Sequence, residues 1–262
     1  MNEKYVLITG ASKGLGKAFA EEFAMRKRNL ILVSLENEGL SEVALSIEQR
    51  FGVNVIAFET NLSKIASVYQ LAETINANYE LRYLINNAGI GGTTLFSKTT
   101  VEQIERLLMI NIMALSLLTR LLLPNLMRQQ GRSYILNVAS MASFSPMTYK
   151  AVYSASKAYV YYFSRALSEE LKNTTVFVSV VHPGPMKTNA EVTRSINKQG
   201  VLARFSGLIT PERTAKIAIR HLENNVPFIV PGMINWWNWI IMRAVPIKIQ
   251  LFMGFKISGK EI

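Results

Sequence analysis

The 262-residue chain contains no cysteine. Disulfides, thiolate metal sites and cysteine nucleophiles are thereby excluded, and a reducing compartment is permitted without being required. No metal site is read from the sequence. Acidic residues are few: 18 Asp and Glu stand against 29 Lys and Arg, for a formal net charge of +11. Such a charge attracts anions, whether phosphorylated cofactors, acidic lipids or nucleic acid. The basic residues are spread along the chain, with no continuous basic tract and no nucleic-acid module, so nucleic acid is not an expected partner. Repeats, low-complexity stretches and interdomain linkers are also missing. The first apolar run, at 5–8, leaves no room before it for a basic, apolar and cleavable leader, and the expected location is cytoplasmic.

Hydrophobic residues make up 49% of the chain, which fits a globular protein with a large interior. At this length one domain suffices, and folding can bury roughly 70–75% of the unfolded surface. Short apolar runs at 5–9, 30–34, 53–59, 82–86, 133–138, 176–181 and 227–230 predict strands. Helical patterns at 15–27, 40–50, 65–75, 101–127, 154–171 and 211–222 lie between them. Strands alternating with helices predict repeated βαβ units and a parallel sheet, and near-continuous apolar strands predict helices on both faces. The expected fold is α/β: a single doubly wound domain over 1–231 with a seven-stranded, mostly parallel sheet, followed by an apolar C-terminal extension at 232–262. The extension holds all three tryptophans of the chain, in Trp236-Trp237-Asn238-Trp239.

Three clusters carry chemistry. The first strand runs into Thr9-Gly10-Ala11-Ser12-Lys13-Gly14-Leu15-Gly16 and then a helix. Glycines permit a tight turn and a close approach of a diphosphate, and a helix start presents free N–H groups to it. Asn86-Asn87-Ala88-Gly89 falls at the end of the fourth strand, where short polar side chains can meet a nucleotide or brace a neighbouring loop. Ser140 follows the fifth strand, and Tyr153 and Lys157 stand four residues apart on a helix, hence on one face. A free tyrosine, with a pKa of about 10, is a poor base at neutral pH, and a nearby ammonium favours its phenolate. The pair is an acid–base device in outline; a surface helix with a half-buried tyrosine produces the same spacing.

Taken together, these motifs resemble the short-chain dehydrogenase/reductase family over about 1–231. The resemblance rests on the Thr9–Gly16 turn, Asn86–Gly89, Asn111, Ser140, Tyr153 and Lys157, and the Pro183-Gly184-Pro185-Met186-Lys187-Thr188 segment after the sixth strand. It implies a Rossmann-type fold and a nicotinamide-dependent oxidoreductase interconverting a ketone and a secondary alcohol. Tyr153 would exchange the proton with the substrate oxygen, Ser140 would place that oxygen, and Lys157 would lower the tyrosine pKa and hold the nicotinamide ribose. Asn111 would support a water-linked proton path; kinking of the 101–127 helix is the other reading of it. Gly10, Ser12, Lys13, Gly14, Leu15, Gly16, Ser34, Asn61, Leu62, Asn87, Ala88, Gly89, Pro183, Gly184, Met186 and Thr188 would contact the cofactor, with Tyr153 and Lys157.

The resemblance places Ser34 where a carboxylate would accept from a free 2′-hydroxyl, and Lys13 where relatives carry a basic residue for a 2′-phosphate. Both favour NADP(H) and leave NAD(H) open, with Leu35 and Glu36 as departures. Asn61-Leu62 replaces the family's Asp-Leu beside the adenine. A lid is expected at 189–208, where Arg194, Lys198 and Arg204 are candidates for an acidic substrate group. Phe144, Met147, Tyr149, Met186 and Phe205 are candidate pocket residues for a hydrophobic carbonyl or alcohol. The resemblance implies a homo-dimer or homo-tetramer; Leu117, Leu118, Leu121, Leu122 and Tyr161-Tyr162-Phe163 supply apolar surface for it or for the monomer core. Packing of the tail on the cleft or on a second subunit and peripheral membrane contact are both open. A cofactor-binding sensor or scaffold is the competing function, and the intact Ser140, Tyr153 and Lys157 argue for an enzyme.

Overall fold

The computed structural model describes residues 4–186 and 207–258. Seven strands, β1 (Lys4–Thr9), β2 (Asn29–Ser34), β3 (Val55–Glu59), β4 (Glu80–Asn86), β5 (Ser133–Val138), β6 (Val176–Val181) and β7 (Phe228–Ile229), form one sheet in the order 3-2-1-4-5-6-7. Every described pairing is parallel, so the expected "mostly parallel" sheet is parallel throughout its described strands. The strand order reverses between β1 and β4, and the crevice outside the carboxyl ends of those strands is where an open α/β sheet takes its ligands.

Helices cover both faces. On one side lie α1 (Gly14–Met25) and α2 (Leu40–Phe51); on the other lies α3 (Ile65–Asn78). The chain continues through α4 (Val101–Leu108), α5 (Leu115–Met127) and α6 (Ala151–Glu170). The described chain resumes with α7 (Pro211–Glu223), packed beside α1. Side-chain alternation feeds two cores. Val6, Ile8, Leu30 and Leu32 pack with Phe19, Phe23 and Ile219, while Leu7, Ile31 and Val33 pack with Val68, Ile75, Leu118 and Leu122. Leu118 and Leu122 are therefore interior residues of the subunit.

Several predicted boundaries shift, each for a local reason. The fourth strand begins at Glu80, not at residue 82, because the β1–β4 register slips between Tyr5 and Val6. This bulge puts Leu81 and Tyr83 into opposite cores although they are two residues apart, so the alternation fails there. The third strand starts two residues later than predicted, at Val55, and the last is only Phe228–Ile229. The sixth helix starts earlier, at Ala151. The predicted 101–127 helix is continuous but not uniformly α: Met109–Ala114 is a π-helical stretch between α4 and α5. The 101–127 run is long and apolar enough to cross a membrane. Its α5 part is a core helix, with Leu118, Leu122 and Leu126 buried against the sheet, whereas α4 has no buried residue.

Beyond β7 the tail forms α8 (Met233–Ala244) and α9 (Ile247–Ser258), broken at Val245-Pro246.

Buried Asn125 on α5 locks the bulge. Its Oδ1 accepts from the Leu81 N–H at 3.0 Å, and its Nδ2 donates to the Tyr79 carbonyl at 2.9 Å. Asn125→Leu leaves both backbone groups unpaired. A loss of about 2–4 kcal/mol is expected, read as a lower urea midpoint at unchanged m-value.

Candidate active site

The glycine turn is held against the end of β4. Gly10 sits at φ +68° with its carbonyl packed on Gly16, where an added Cβ would fall 2.0 Å from that oxygen. Asn87 Nδ2 donates to the carbonyls of Thr9 (2.9 Å) and Gly10 (3.1 Å). Thr9 Oγ1 accepts from the N–H groups of Asn87 and Ala88, both at 3.0 Å. Asn87 thus braces the turn. Lys13, at the N-cap of α1, makes no side-chain cap, and the first turn holds no acidic residue. The α1 amino end therefore offers uncapped N–H groups and a partial positive charge to an anion. Leu15 is buried in the core, so only its backbone faces the turn, between Gly14 and Gly16. Ser12 is half-buried beside them.

A buried polar chain ties the strand ends to the helices. Asn86 Nδ2 donates to Thr119 Oγ1 on α5 (2.9 Å) and to Asn137 Oδ1 on β5 (2.8 Å), and Asn137 Nδ2 donates to Ser164 Oγ on α6 (2.9 Å). It fixes α6, and with it Tyr153 and Lys157, over the carboxyl edge of the sheet. Lys157 is buried, its Nζ donating to the Val138 carbonyl at 2.9 Å. Removal from water brings its pKa down to about 8. Tyr153 lies across Gly91, where an added Cβ would stand 3.4 Å from the ring. Burial raises the Tyr153 pKa above its ordinary value, and a hydrogen bond with the Ser140 side chain works the other way.

Asn111 sits in the π-helical stretch. Its amide spans the Ile90 backbone, accepting from N–H at 2.9 Å and donating to the carbonyl at 3.0 Å, and it also donates to Ser156 Oγ at 3.0 Å. A Cβ on Gly89 would meet Lys157 Nζ at 3.2 Å and Asn111 Oδ1 at 3.3 Å. Glycine there keeps a hollow open above the lysine. The structure thus brings Asn111, Ser140, Tyr153 and Lys157 to one place, bordered by Gly89 and Gly91.

Ser140 lies two residues past β5 and caps a short 3-10 turn, Met141–Phe144; its Oγ accepts from the Ala142 N–H at 3.1 Å. Its carbonyl reveals a residue the motifs did not single out. His182 Nδ1 lies 3.1 Å from the Ser140 oxygen, and a carbonyl only accepts, so Nδ1 carries the proton. The ring is buried among Phe144, Tyr161 and Phe228, at centroid distances of 4.5, 5.0 and 5.0 Å. Phe144 and Tyr161 therefore belong to an aromatic cluster around His182, which for Tyr161 is the monomer-core alternative to an oligomer surface. Its place directly before Pro183-Gly184 was the available signal. Burial holds His182 neutral, with its pKa pushed down to about 3.

The outer cofactor candidates fall around the same edge. Ser34 is buried at the end of β2, its hydroxyl donating to the Leu35 carbonyl. Asn61 Oδ1 accepts from the Ser63 N–H and hydroxyl, and Leu62 is part of the core. Glu36 is exposed. Lys13 forms an ion pair with Glu38, a carboxylate the sequence reading had passed over. Pro183 accepts from the Met141 N–H at 3.0 Å, and Gly184 lies against Asn235 of α8, leaving no room for a Cβ. Met186 packs on the core. Thr188, Arg194, Lys198, Arg204 and Phe205 lie outside the described residues. A separate cleft of about 1070 Å³ opens at the amino edge of the sheet, lined by Lys4, Arg28, Arg82 and Glu223, and borders none of these candidates.

A nicotinamide dinucleotide fits this frame: the glycine hollows, the uncapped helix start and the crevice at the strand-order reversal lie along one edge. The short chain dehydrogenase family model matches residues 4–199. Ketoacyl reductase HetN of Nostoc sp. is 31% identical over 229 residues, covering 87% of this chain and 78% of its own. Very-long-chain 3-oxoacyl-CoA reductase-B of Danio rerio is 28% identical over 269 residues, covering 98% of this chain and 81% of its own. Among solved structures, a short-chain dehydrogenase from Sphingobium yanoikuyae in complex with NADPH superposes with a TM-score of 0.79 at 28% identity, over 92% of each chain. The chain belongs to the short-chain dehydrogenase family. It is an oxidoreductase of alcohol and carbonyl groups that works with a nicotinamide cofactor.

Two outcomes test the frame. Gly16→Ala forces its Cβ into the Gly10 carbonyl, and loss of cofactor binding in a fluorescence titration is expected, with a lowered melting temperature. For His182, the unfolded chain takes a proton at about 6.5 and the folded chain only at about 3. Between those values the unfolded state binds more protons, so this group's contribution to stability is full above pH 6.5 and falls as pH drops toward 3. The slope is about 1.4 kcal/mol per pH unit. His182→Phe should flatten that part of the pH dependence of the urea midpoint relative to wild type.

Proposed function

We propose that the chain is an NADP(H)-dependent enzyme interconverting a ketone and a secondary alcohol on a hydrophobic substrate, with Tyr153 as its proton donor and acceptor. The observation that carries this reading is the meeting of Tyr153 and Ser140 beside Gly91 with Lys157 buried against β5. The bound cofactor supplies or receives the hydride. In the reducing direction the Tyr153 hydroxyl gives its proton to the substrate oxygen. Ser140 Oγ accepts from Ala142, and its O–H, hydrogen-bonded to Tyr153 before substrate binds, turns to that oxygen and holds it. The Lys157 ammonium then stabilises the phenolate left on Tyr153. Its pKa of about 8 means that this charge is lost progressively above that pH in the free enzyme. Asn111, in the widened helix, supports a proton path toward Lys157.

The apolar tail beside the site and the acyl substrates named for two relatives support a long-chain ketone. Residues 1–231 would form the catalytic unit, located in the cytoplasm or at a membrane facing it, with 232–262 as its extension. The exposed Val101, Met113, Tyr159 and Tyr162 supply apolar surface for a homo-dimer or homo-tetramer.

NADPH oxidation over a chain-length series of ketones tests the mechanism. Tyr153→Phe should lower turnover by about 10²–10⁴-fold; equal rates for variant and wild type would sink it. Cofactor choice is tested separately at the Lys13–Glu38 pair. Freeing the lysine with Glu38→Gln should raise the NADPH-over-NADH ratio of kcat/KM, and Lys13→Ala should lower it, each by about tenfold.

A further inference from the structure

The described tail has two unlike sides. Inward, α8 is moored to the rest of the molecule. Buried Asn235 Nδ2 donates to the carbonyls of Gly207 (2.9 Å) and Pro231 (2.8 Å). Trp239 packs on Phe228 and Phe144 at centroid distances of 5.0 and 6.3 Å, and so reaches the aromatic cluster next to Ser140. Outward, Met233, Ile234, Trp236, Trp237 and Ile241 are exposed, with Met233 at 78% and Trp237 at 56%. On α9, Ile247, Ile249, Leu251 and Phe252 are exposed as well, Phe252 at 62%. The Gln250 side chain ties α9 back to α8 through the carbonyls of Met242 and Val245, both at 2.7 Å. A helix this short is marginal in water unless an apolar surface receives it.

Charge selects the occupant. From residue 224 to residue 260 the chain holds no Asp or Glu, while Arg243, Lys248, Lys256 and Lys260 are basic. Tryptophan with flanking cations is the composition of a segment lying at a lipid headgroup boundary. A second copy is disfavoured: a two-fold contact through this face would bury its cations against the same face, which holds no acidic residue to pair with them. Spanning is excluded for these helices by length, since 12 residues of α-helix reach about 18 Å against a hydrocarbon core of about 30 Å.

We infer that the outward side of α8 and the exposed side of α9 dock the enzyme on an anionic bilayer surface, beside the candidate active site. The inference rests on the hydrophobic-substrate reading, because a long-chain ketone concentrates in lipid. Docking there would let such a substrate pass from the membrane to the site without crossing bulk water.

Flotation of the full chain with vesicles tests this. Phosphatidylcholine alone is compared with phosphatidylcholine mixed with phosphatidylglycerol. Wild type should float with the mixed vesicles and far less with the neutral ones. Trp237→Glu combined with Ile241→Glu, both at exposed positions, should weaken that binding about tenfold or more. Lys248→Glu should weaken binding to the mixed vesicles alone by about fivefold or more. Circular dichroism and turnover of a short, water-soluble ketone should be unchanged in these variants. No flotation of wild type, equal binding to both vesicles, or flotation that survives the substitutions would overturn the inference. A dimer that the double substitution splits, without flotation, would assign the face to a second copy and overturn it too. Flotation needs no substrate, so a failure of ketone turnover would count against the proposed function while this result stood on its own.

Discussion

The site depends on how closely the chain can approach itself where β1 and β4 end. Gly10 and Gly16 are in such contact that a Cβ on Gly16 would fall 2.0 Å from the Gly10 carbonyl. Asn87 closes the arrangement by donating to the Thr9 and Gly10 carbonyls, and Thr9 answers with its hydroxyl. This contact aims the uncapped start of α1 along the crevice where the strand order reverses. Without it the helix start could not offer its N–H groups to a diphosphate, and the remaining residues would border an empty edge.

The second constraint is electrostatic. Burying a lysine costs free energy, and the fold meets that cost with a carbonyl, not a carboxylate: Lys157 donates to Val138. A carboxylate there would cancel the charge that Tyr153 needs, whereas a carbonyl satisfies the ammonium and leaves its field intact. Burial brings the Lys157 pKa down to about 8 and raises that of Tyr153, so in the free enzyme the two groups titrate further apart than they would in water, the lysine first. His182 serves the same end without titrating near neutral pH. Held neutral by its aromatic surroundings, it pins the Ser140 backbone through one fixed proton.

The aromatic cluster also joins the tail to the centre of the molecule. Trp239 on α8 meets Phe144 and Phe228, and those rings enclose His182. The tail is thus anchored by its inner face, while the side it turns to solvent is apolar and free of acidic residues. A substrate that prefers lipid would be served by that placement.

Much of this was legible in the residues. Apolar runs set the strands, and their near-continuous character set a sheet covered on both faces, because buried parallel strands leave little surface for polar groups. The glycine turn and the four-residue spacing of Tyr153 and Lys157 are local features, fixed by backbone freedom and helix geometry. What the sequence alone could not decide depends on groups far apart along the chain. The bulge at β4 moved a strand boundary because the β1 register and Asn125 of α5 set it together. Asn111 widened its helix to reach Ile90, 21 residues away. His182 gained its place from Ser140, 42 residues upstream. Lys13 is tied to Glu38 by a loop that only the folded sheet brings near. The sequence by itself determined the class of fold and the kinds of group at its edge. Tertiary structure decided which of those groups are buried, paired or free, because desolvation and hydrogen bonding exist only once distant segments meet.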